Sequence, residues 1–320
     1  MRFVCGDASV TREAVRVEQP DSFATSPSLR GPARGAVTSA GGDGVAPLVA
    51  LLDLTELDTN LYAAPSPHYT YRPTIFGGQV AAQALRAATL TVDEERRVHS
   101  LHGYFLRPGR PGDPVVLYVE RVREGRSFTT RRVVARQHGE AIFTLETSFQ
   151  VDEPGPSQQV PVAGAPDPDD LPFPDAAGAT ARFDVGFDVR PVEGGGAFDE
   201  SAPRSTPLSP ALTFWVRTRG PLGDDHGLHA SVLAYVSDMR SGSAALVEGQ
   251  SIAGVVMASL DHSMWFHRPV RADQWLLVQV RPVSTSGARG LVLGTVHDQA
   301  GVHGLTFTQE VLTRPRAKKG

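Results

Sequence analysis

Apolar and polar residues alternate most clearly in a run near the middle of the chain. Ala141, Phe143, Leu145, Phe149 and Val151 fall on one face of an extended segment, and most residues between them are polar. Successive side chains of a strand point to opposite faces, so this two-residue period predicts a half-buried β-strand.

A second run of the same kind lies near the C-terminus. Leu305, Phe307, Gln309 and Val311 share its inward face, and Gln309 stands where the first run has Thr147. An amide on an apolar face costs roughly 1–3 kcal/mol unless it is hydrogen-bonded. We therefore expect a polar group to face Gln309.

The two halves of the chain repeat one order of elements. Each contains a helical run, at 73–92 and 226–239, followed by four strand-like runs. The marker FLRP, Phe105–Pro108, recurs as FHRP, Phe266–Pro269, 161 residues later. An internal repeat of this size predicts two copies of one unit, here an α+β unit in which an antiparallel sheet wraps a helix.

Proline and small polar residues mark the predicted boundaries. Seven prolines fall within residues 151–182, a density that excludes a helix or a central strand. Residues 47–60 resemble a short amphipathic helix. The predicted organisation is a disordered tail at 1–46, an N-terminal domain at 47–152, a linker at 153–182 and a C-terminal domain at 183–316.

Composition limits the classes of function. The net charge of −4 argues against a nucleic-acid surface, which would require a strongly basic face. No run of 18 apolar residues is present, so no membrane span is expected, and the N-terminus lacks the apolar core of a secretory signal. Cys5 is the single cysteine, which fits a reducing cytoplasm and excludes a cysteine-based zinc site.

The stretch Ala258–Pro269, ASLDHSMWFHRP, concentrates hydroxyl, carboxylate and imidazole groups. In a regular strand these groups divide between two faces, so they cannot converge as a block. Ser259 follows the inward residues Val255 and Met257 and interrupts their apolar face. The regular period places Asp261, Ser263 and Trp265 on that face, and His262, Met264 and Phe266 on the other.

Asp238 is a third candidate, near the end of the second helical run. A carboxylate there opposes the helix dipole, at a cost of a few tenths to about 1 kcal/mol. Taken alone, Asp238, Ser259 and Gln309 are each explained at least as well by structural roles. The residue types by themselves leave both a catalytic and a structural role open for each residue.

Six anchors resemble the type II acyl-CoA thioesterase family, which has the double hotdog fold. They are IFGGQVAAQAL (75–85), HSLHGYFLRPG (99–109), GRSFTTRRVVARQHGEAIFTLETSFQ (125–150), LAYVSD (233–238), LDHSMWFHRP (260–269) and TQEVLTR (308–314). They occur in the family's order, and the resemblance covers nearly all of residues 47–314. The resemblance implies two tandem hotdog domains and hydrolysis of acyl-CoA to free fatty acid and CoA.

The resemblance also implies the catalytic residues. The family's Asp, Ser or Thr, and Gln match Asp238, Ser259 and Gln309, which would position and activate water. We expect no covalent acyl-enzyme, no cofactor and no metal. Backbone N–H groups around His229–Ser231 are the first candidates for an oxyanion hole, with the Gly77–Gln79 turn as the alternative. The family resemblance implies a homo-oligomer, at least a dimer of these chains.

Two other functions remain open. A hotdog-fold enoyl-CoA hydratase carries an Asp and a His five residues apart, and Gly223–His229 is a partial match that lacks the Asn and Pro. A non-catalytic acyl-CoA-binding protein could use the same scaffold. The anchors favour the thioesterase because the resemblance that they carry extends over most of the chain, whereas the hydratase match is confined to one loop.

Overall fold

The computed structural model describes residues 46–68, 73–162, 164–172, 185–192 and 212–316. The predicted tail, apart from its last residue, lies outside this part of the chain, as do pieces of the predicted linker. The described linker residues form no strand, and their single 3₁₀ turn is Pro168–Asp170. The domain boundaries given above stay predictions.

The predicted repeat is present. The first copy contains α1 (Ala46–Leu52), β1 (Thr55–Asp58), β2 (Leu61–Ala64), α2 (Gly77–Thr89), β3 (Arg96–Phe105), β4 (Val115–Glu124), β5 (Phe128–Gln137) and β6 (Glu140–Val151). The second contains β7 (Phe187–Pro191), β8 (Leu212–Thr218), α3 (His226–Ser237), a 3₁₀ turn (Ser241–Ala245), β9 (Val255–Phe266), β10 (Leu276–Ser286), β11 (Arg289–Asp298) and β12 (His303–Pro315).

All of these strands belong to one antiparallel sheet of twelve, in the order β1-β2-β4-β5-β6-β3-β9-β12-β11-β10-β8-β7. The two copies join where β3 pairs with β9, and His102 lies opposite Ser263. These two residues are 161 positions apart, the same offset as the FLRP and FHRP markers. The copies are therefore related by an approximate two-fold axis through the β3–β9 pair.

Helices α2 and α3 pack against each other in antiparallel directions. The start of α2 approaches the end of α3, since a Cβ on Gly78 would lie 2.7 Å from the carbonyl oxygen of Tyr235. At the other end a Cβ on Gly227 would lie 2.9 Å from Thr89. Every residue of α3 from His229 to Ser237 is buried, so most of this helix is enclosed by the described residues around it. No helix in the described ranges is long and apolar enough to cross a membrane.

The two markers make the same backbone contacts. Leu106 and Arg107 donate their N–H groups to the carbonyl of Ile142. His267 and Arg268 donate theirs to the carbonyl of Gly304. The chain therefore leaves the strand with the same backbone hydrogen bonds in both copies, as the repeated sequence predicted.

The predicted helix at 47–60 is correct only in its first half. The chain leaves the helix after Leu52 and forms the β1–β2 hairpin, whose turn contains Asn60 at φ 61°. Asn is one of the few residues that adopt this left-handed conformation readily. Asn60 indicates a turn, but the apolar pattern over 47–60 led to the prediction of a helix there.

The face assignment in β9 is wrong beyond Ser259. Ser259 pairs with Val311 and Asp261 pairs with Glu310, so Leu260 is an extra residue that forms a β-bulge. A bulge reverses the alternation beyond it. His262 and Met264 are therefore buried, in place of Asp261 and Ser263. Strand β3 has its irregularity at the equivalent place, between Val98 and Ser100.

We expect Gly294→Ala to destabilise the second copy by about 1–3 kcal/mol through overpacking. A Cβ at Gly294 would lie 2.0 Å from the ring of Phe307, which is fully buried. The midpoint of urea unfolding, compared with wild type, measures the effect. Gly155→Ala is the matched control, because nothing lies within 4 Å of its Cβ position. Equal midpoints for the two variants would contradict the packing described for β11.

Candidate active site

The structure brings together the three residues singled out from the sequence. Gln309 Nε2 donates hydrogen bonds to Asp238 Oδ1 at 2.5 Å and to Ser259 Oγ at 2.7 Å. Asp238 and Gln309 are buried, and Ser259 is partly exposed. Residues from α3, β9 and β12 thus form one connected polar cluster.

The carboxylate of Asp238 lies between the ends of two helices. Asp238 is the C-cap of α3, where the helix dipole disfavours negative charge. Its Oδ2 accepts a 2.6 Å hydrogen bond from the N–H of Gly78, in the first turn of α2. The positive end of α2 therefore offsets the unfavourable end of α3.

The start of α2 is open to Asp238 because no side chain caps it. Phe76 holds the N-cap position and makes no side-chain capping bond. Gly77 permits the close approach, since a Cβ there would lie 2.9 Å from Asp238 Oδ2 and 2.9 Å from the ring of Phe105. Any other residue at this position would displace the carboxylate or the ring.

The amide of Gln309 is fixed on both sides. Ser241 donates its hydroxyl hydrogen to Gln309 Oε1, and both residues are fully buried. An ionised carboxylate can only accept, so the amide must present its nitrogen to Asp238 and its oxygen to Ser241. Asp238 and Ser241 are therefore polar groups of the kind that the sequence predicted opposite Gln309.

His262 supports the residue beside Asp238. Its Nε2 lies 2.7 Å from the hydroxyl of Ser237. Burial lowers the pKa of His262 to about 4, so its imidazole is neutral at pH 7. Burial also raises the pKa of the neighbouring Asp261, which lies on the opposite face. His262 holds the end of α3 against β9.

The first candidates for the oxyanion hole, around His229–Ser231, lie away from Asp238. Ser231 is seven residues before Asp238, about 10 Å along the helix at 1.5 Å per residue. The N–H of His229 is already bonded to the carbonyl of Asp225, and the side chain of Asp225 caps α3. The alternative at Gly77–Gln79 lies beside Asp238, but the N–H of Gly78 is bonded to Asp238 and that of Gln79 to the carbonyl of Phe76.

The charged and histidine residues of the partial hydratase match are engaged in contacts within the protein. Asp224 pairs with Arg271 at 2.9 Å, and Asp225 pairs with Arg86 at 2.8 Å. The ring of His229 contacts the carbonyl of Gly223 and the N–H of Ala272. These residues organise the start of α3, at the end of the helix opposite Asp238.

Sequence reasoning missed three members of the site. The Gly78 amide was indicated only as an alternative, although Phe76 at an N-cap, a position that favours Ser, Thr, Asp or Asn, marks an uncapped helix. Ser241 carried no signal because it lies in a short turn without a period. The Ser237–His262 contact depends on the bulge at Leu260, which no pattern announced.

Two family models match the chain: the acyl-CoA thioesterase N-terminal domain over residues 64–150, and the acyl-CoA thioesterase C-terminal domain over 158–313. The chain is 40% identical to acyl-coenzyme A thioesterase 8 of Mus musculus over 286 residues, which are 83% of this chain and 88% of the relative.

Solved structures agree with these matches. The acyl-CoA thioesterase II TesB2 of Mycobacterium marinum is 42% identical, with a TM-score of 0.71 over 84% of this chain and 98% of that one. A hot dog fold protein of Alicyclobacillus acidocaldarius, 22% identical, has a TM-score of 0.67 over 84% and 98% of the two chains and supports the fold alone. The predicted double hotdog fold is confirmed, and the chain belongs to the acyl-CoA thioesterase family.

Proposed function

We propose that the chain hydrolyses acyl-CoA to the free acid and CoA, with Asp238, Gln309 and Ser259 positioning and activating the attacking water. The observation that carries this proposal is the way in which the Asp238 carboxylate is held. Both of its oxygens are held by N–H donors, one from α2 of the first copy and one from β12 of the second. A carboxylate fixed in this way is preorganised to accept a proton from water.

Asp238 is the general base in this mechanism. In the proposed step, its carboxylate accepts a proton from the water as that water attacks the thioester carbonyl. The tetrahedral intermediate then collapses and the thiolate of CoA leaves. The proton on Asp238 is available to that thiolate.

Ser259 donates its hydroxyl hydrogen to the water or to the developing oxyanion. Its oxygen already accepts a bond from Gln309 Nε2, which directs the hydroxyl hydrogen away from that amide. A serine nucleophile requires an adjacent base. The inward histidine on the same strand, His262, is bonded to Ser237 instead, which supports direct attack by water.

The cellular setting is a further part of the proposal. We propose that the chain acts in the cytoplasm, in fatty acid metabolism, as a homo-oligomer. Its single cysteine suits a reducing compartment. Tyr104 and Tyr118 are 61% and 51% exposed, and aromatic side chains are enriched at interfaces between subunits. Light scattering after gel filtration measures the oligomer directly.

Asp238→Asn should lower kcat for acyl-CoA about 10²- to 10⁴-fold, because the amide cannot accept the proton that the carboxylate accepts. Release of CoA, followed with a thiol reagent over a panel of short- to long-chain acyl-CoAs, measures the rate. Thermal unfolding shows whether the variant remains folded, because the new amide nitrogen opposes N–H donors.

Ser259→Ala provides the second variant, since Ser259 is partly exposed and its loss disturbs packing less. We expect a loss of at least ten-fold in kcat. If both folded variants keep the wild-type rate, the site assignment fails although the activity stands. If the wild type releases no CoA at any chain length, the proposed function itself fails.

Ser241→Ala should lower kcat roughly ten-fold, because Gln309 Oε1 loses its donor and the amide is free to shift away from Asp238. Ser243→Ala is the matched control: it lies in the same 3₁₀ turn, but its hydroxyl donates to the carbonyl of Arg240. Ser241→Thr keeps a hydroxyl and should retain more activity than Ser241→Ala. Equal rates for Ser241→Ala and Ser243→Ala would contradict this role for Ser241.

A further inference from the structure

The segments that follow the two markers are equivalent loops, which we call the first loop (106–112) and the second loop (267–273). Each begins with the same pair of backbone bonds described above. At the repeat offset of 161, Arg110 of the first loop corresponds to Arg271 of the second. The two arginines can therefore be compared directly.

Arg271 is neutralised by carboxylates of its own copy. Its guanidinium bonds to Asp224 at 2.9 Å and to Asp273 at 2.9 Å, and it also donates to the carbonyl of Gly223. These contacts satisfy the guanidinium and balance its charge. The second loop consequently presents no cation there for a ligand.

Arg110 lacks both of these carboxylates. Gly112 stands where the second loop has Asp273, and Ile75 stands where the segment before the other helix has Asp224. The nearby Asp113 pairs with His138 at 3.0 Å. Arg110 is exposed, and its guanidinium has no ion pair within the described ranges.

The first loop lies beside the candidate active site. Phe105, the residue before it, is next to Asp238 across Gly77. Within the loop, the carbonyl of Gly109 accepts a 3.0 Å bond from the N–H of Ile75, two residues before α2 begins. Arg110 follows Gly109 directly and is exposed, so its backbone lies next to the segment that leads into α2.

We propose that Arg110 binds the phosphate groups of the CoA part of the substrate, an inference that rests on the proposed site at Asp238. CoA carries a diphosphate and a phosphomonoester, and a monoester alone bears about −1.5 to −2 charges at pH 7. The chain has a net charge of −4, so attraction must come from a local cation. A guanidinium matches phosphate oxygens with paired N–H donors.

The test compares two thioesters of the same acid, acyl-CoA and acyl-pantetheine, which lacks every phosphate. Arg110→Ala should raise KM for acyl-CoA and so lower its kcat/KM roughly three- to ten-fold. The kcat/KM for acyl-pantetheine should stay unchanged. Added salt should raise the wild-type KM for acyl-CoA more than that of the variant. Calorimetric titration with CoA and with pantetheine measures the same preference without turnover.

Arg126→Ala is the matched control. Arg126 is also an exposed arginine, but it lies before the start of β5, whereas Gln137 at the end of that strand holds the backbone of Arg110. Arg126→Ala should leave kcat/KM unchanged for both thioesters. The proposal is overturned if Arg110→Ala affects both thioesters equally, affects neither, or matches Arg126→Ala.

Failure of the proposed function gives a different result. Asp238→Asn should lower kcat for both thioesters, whereas Arg110→Ala should act on acyl-CoA alone. If the wild type hydrolyses neither thioester, the proposed function fails, and CoA binding by calorimetry still decides the role of Arg110. A loss of CoA affinity confined to Arg110→Ala supports the proposal, and an unchanged affinity or no measurable binding to the wild type overturns it.

Discussion

The buried carboxylate of Asp238, between the carboxyl end of α3 and the amino end of α2, is the interaction on which the candidate site depends. A negative charge at the end of α3 is unfavourable, and the N–H of Gly78 makes it tolerable. That contact requires antiparallel helices, glycine at two positions of α2, and an N-cap that leaves the helix start open. Removing any one of these would take away the Gly78 donor and weaken the stabilisation of a buried charge.

The approximate two-fold axis makes the opposite ends of α2 and α3 a natural comparison. There the equivalent positions of Asp238 and Gln309 are Thr89 and Thr147. Asp225 caps α3 with its own side chain, so the amino end of that helix needs no carboxylate from its neighbour. One fold therefore contains a helix start that receives a carboxylate from its neighbouring helix and a helix start that is capped by its own residue, and the difference is a few side chains.

The sequence predicted what depends on period and repetition. The inward face of β12, including Gln309, follows from alternation alone, and the equivalence of the two copies follows from FLRP and FHRP. The bulge at Leu260 could not be predicted, because one extra residue in a strand leaves no compositional trace. The approach of Gly78 to Asp238 joins residues 160 positions apart, and only the packing of the two helices decides it. The family resemblance, rather than the pattern, assigned Asp238, Ser259 and Gln309 to one site.

The pairing of β3 with β9 places two copies of a unit in one chain and one sheet. In an assembly of identical subunits, every substitution appears in each copy, so an aspartate suited to one position is imposed on its symmetry mate. Joining the copies in a single polypeptide removes that restriction, because each half can mutate alone. Asp224 and Asp273 beside Arg271, set against Ile75 and Gly112 beside Arg110, are differences that a symmetric dimer could not have acquired independently.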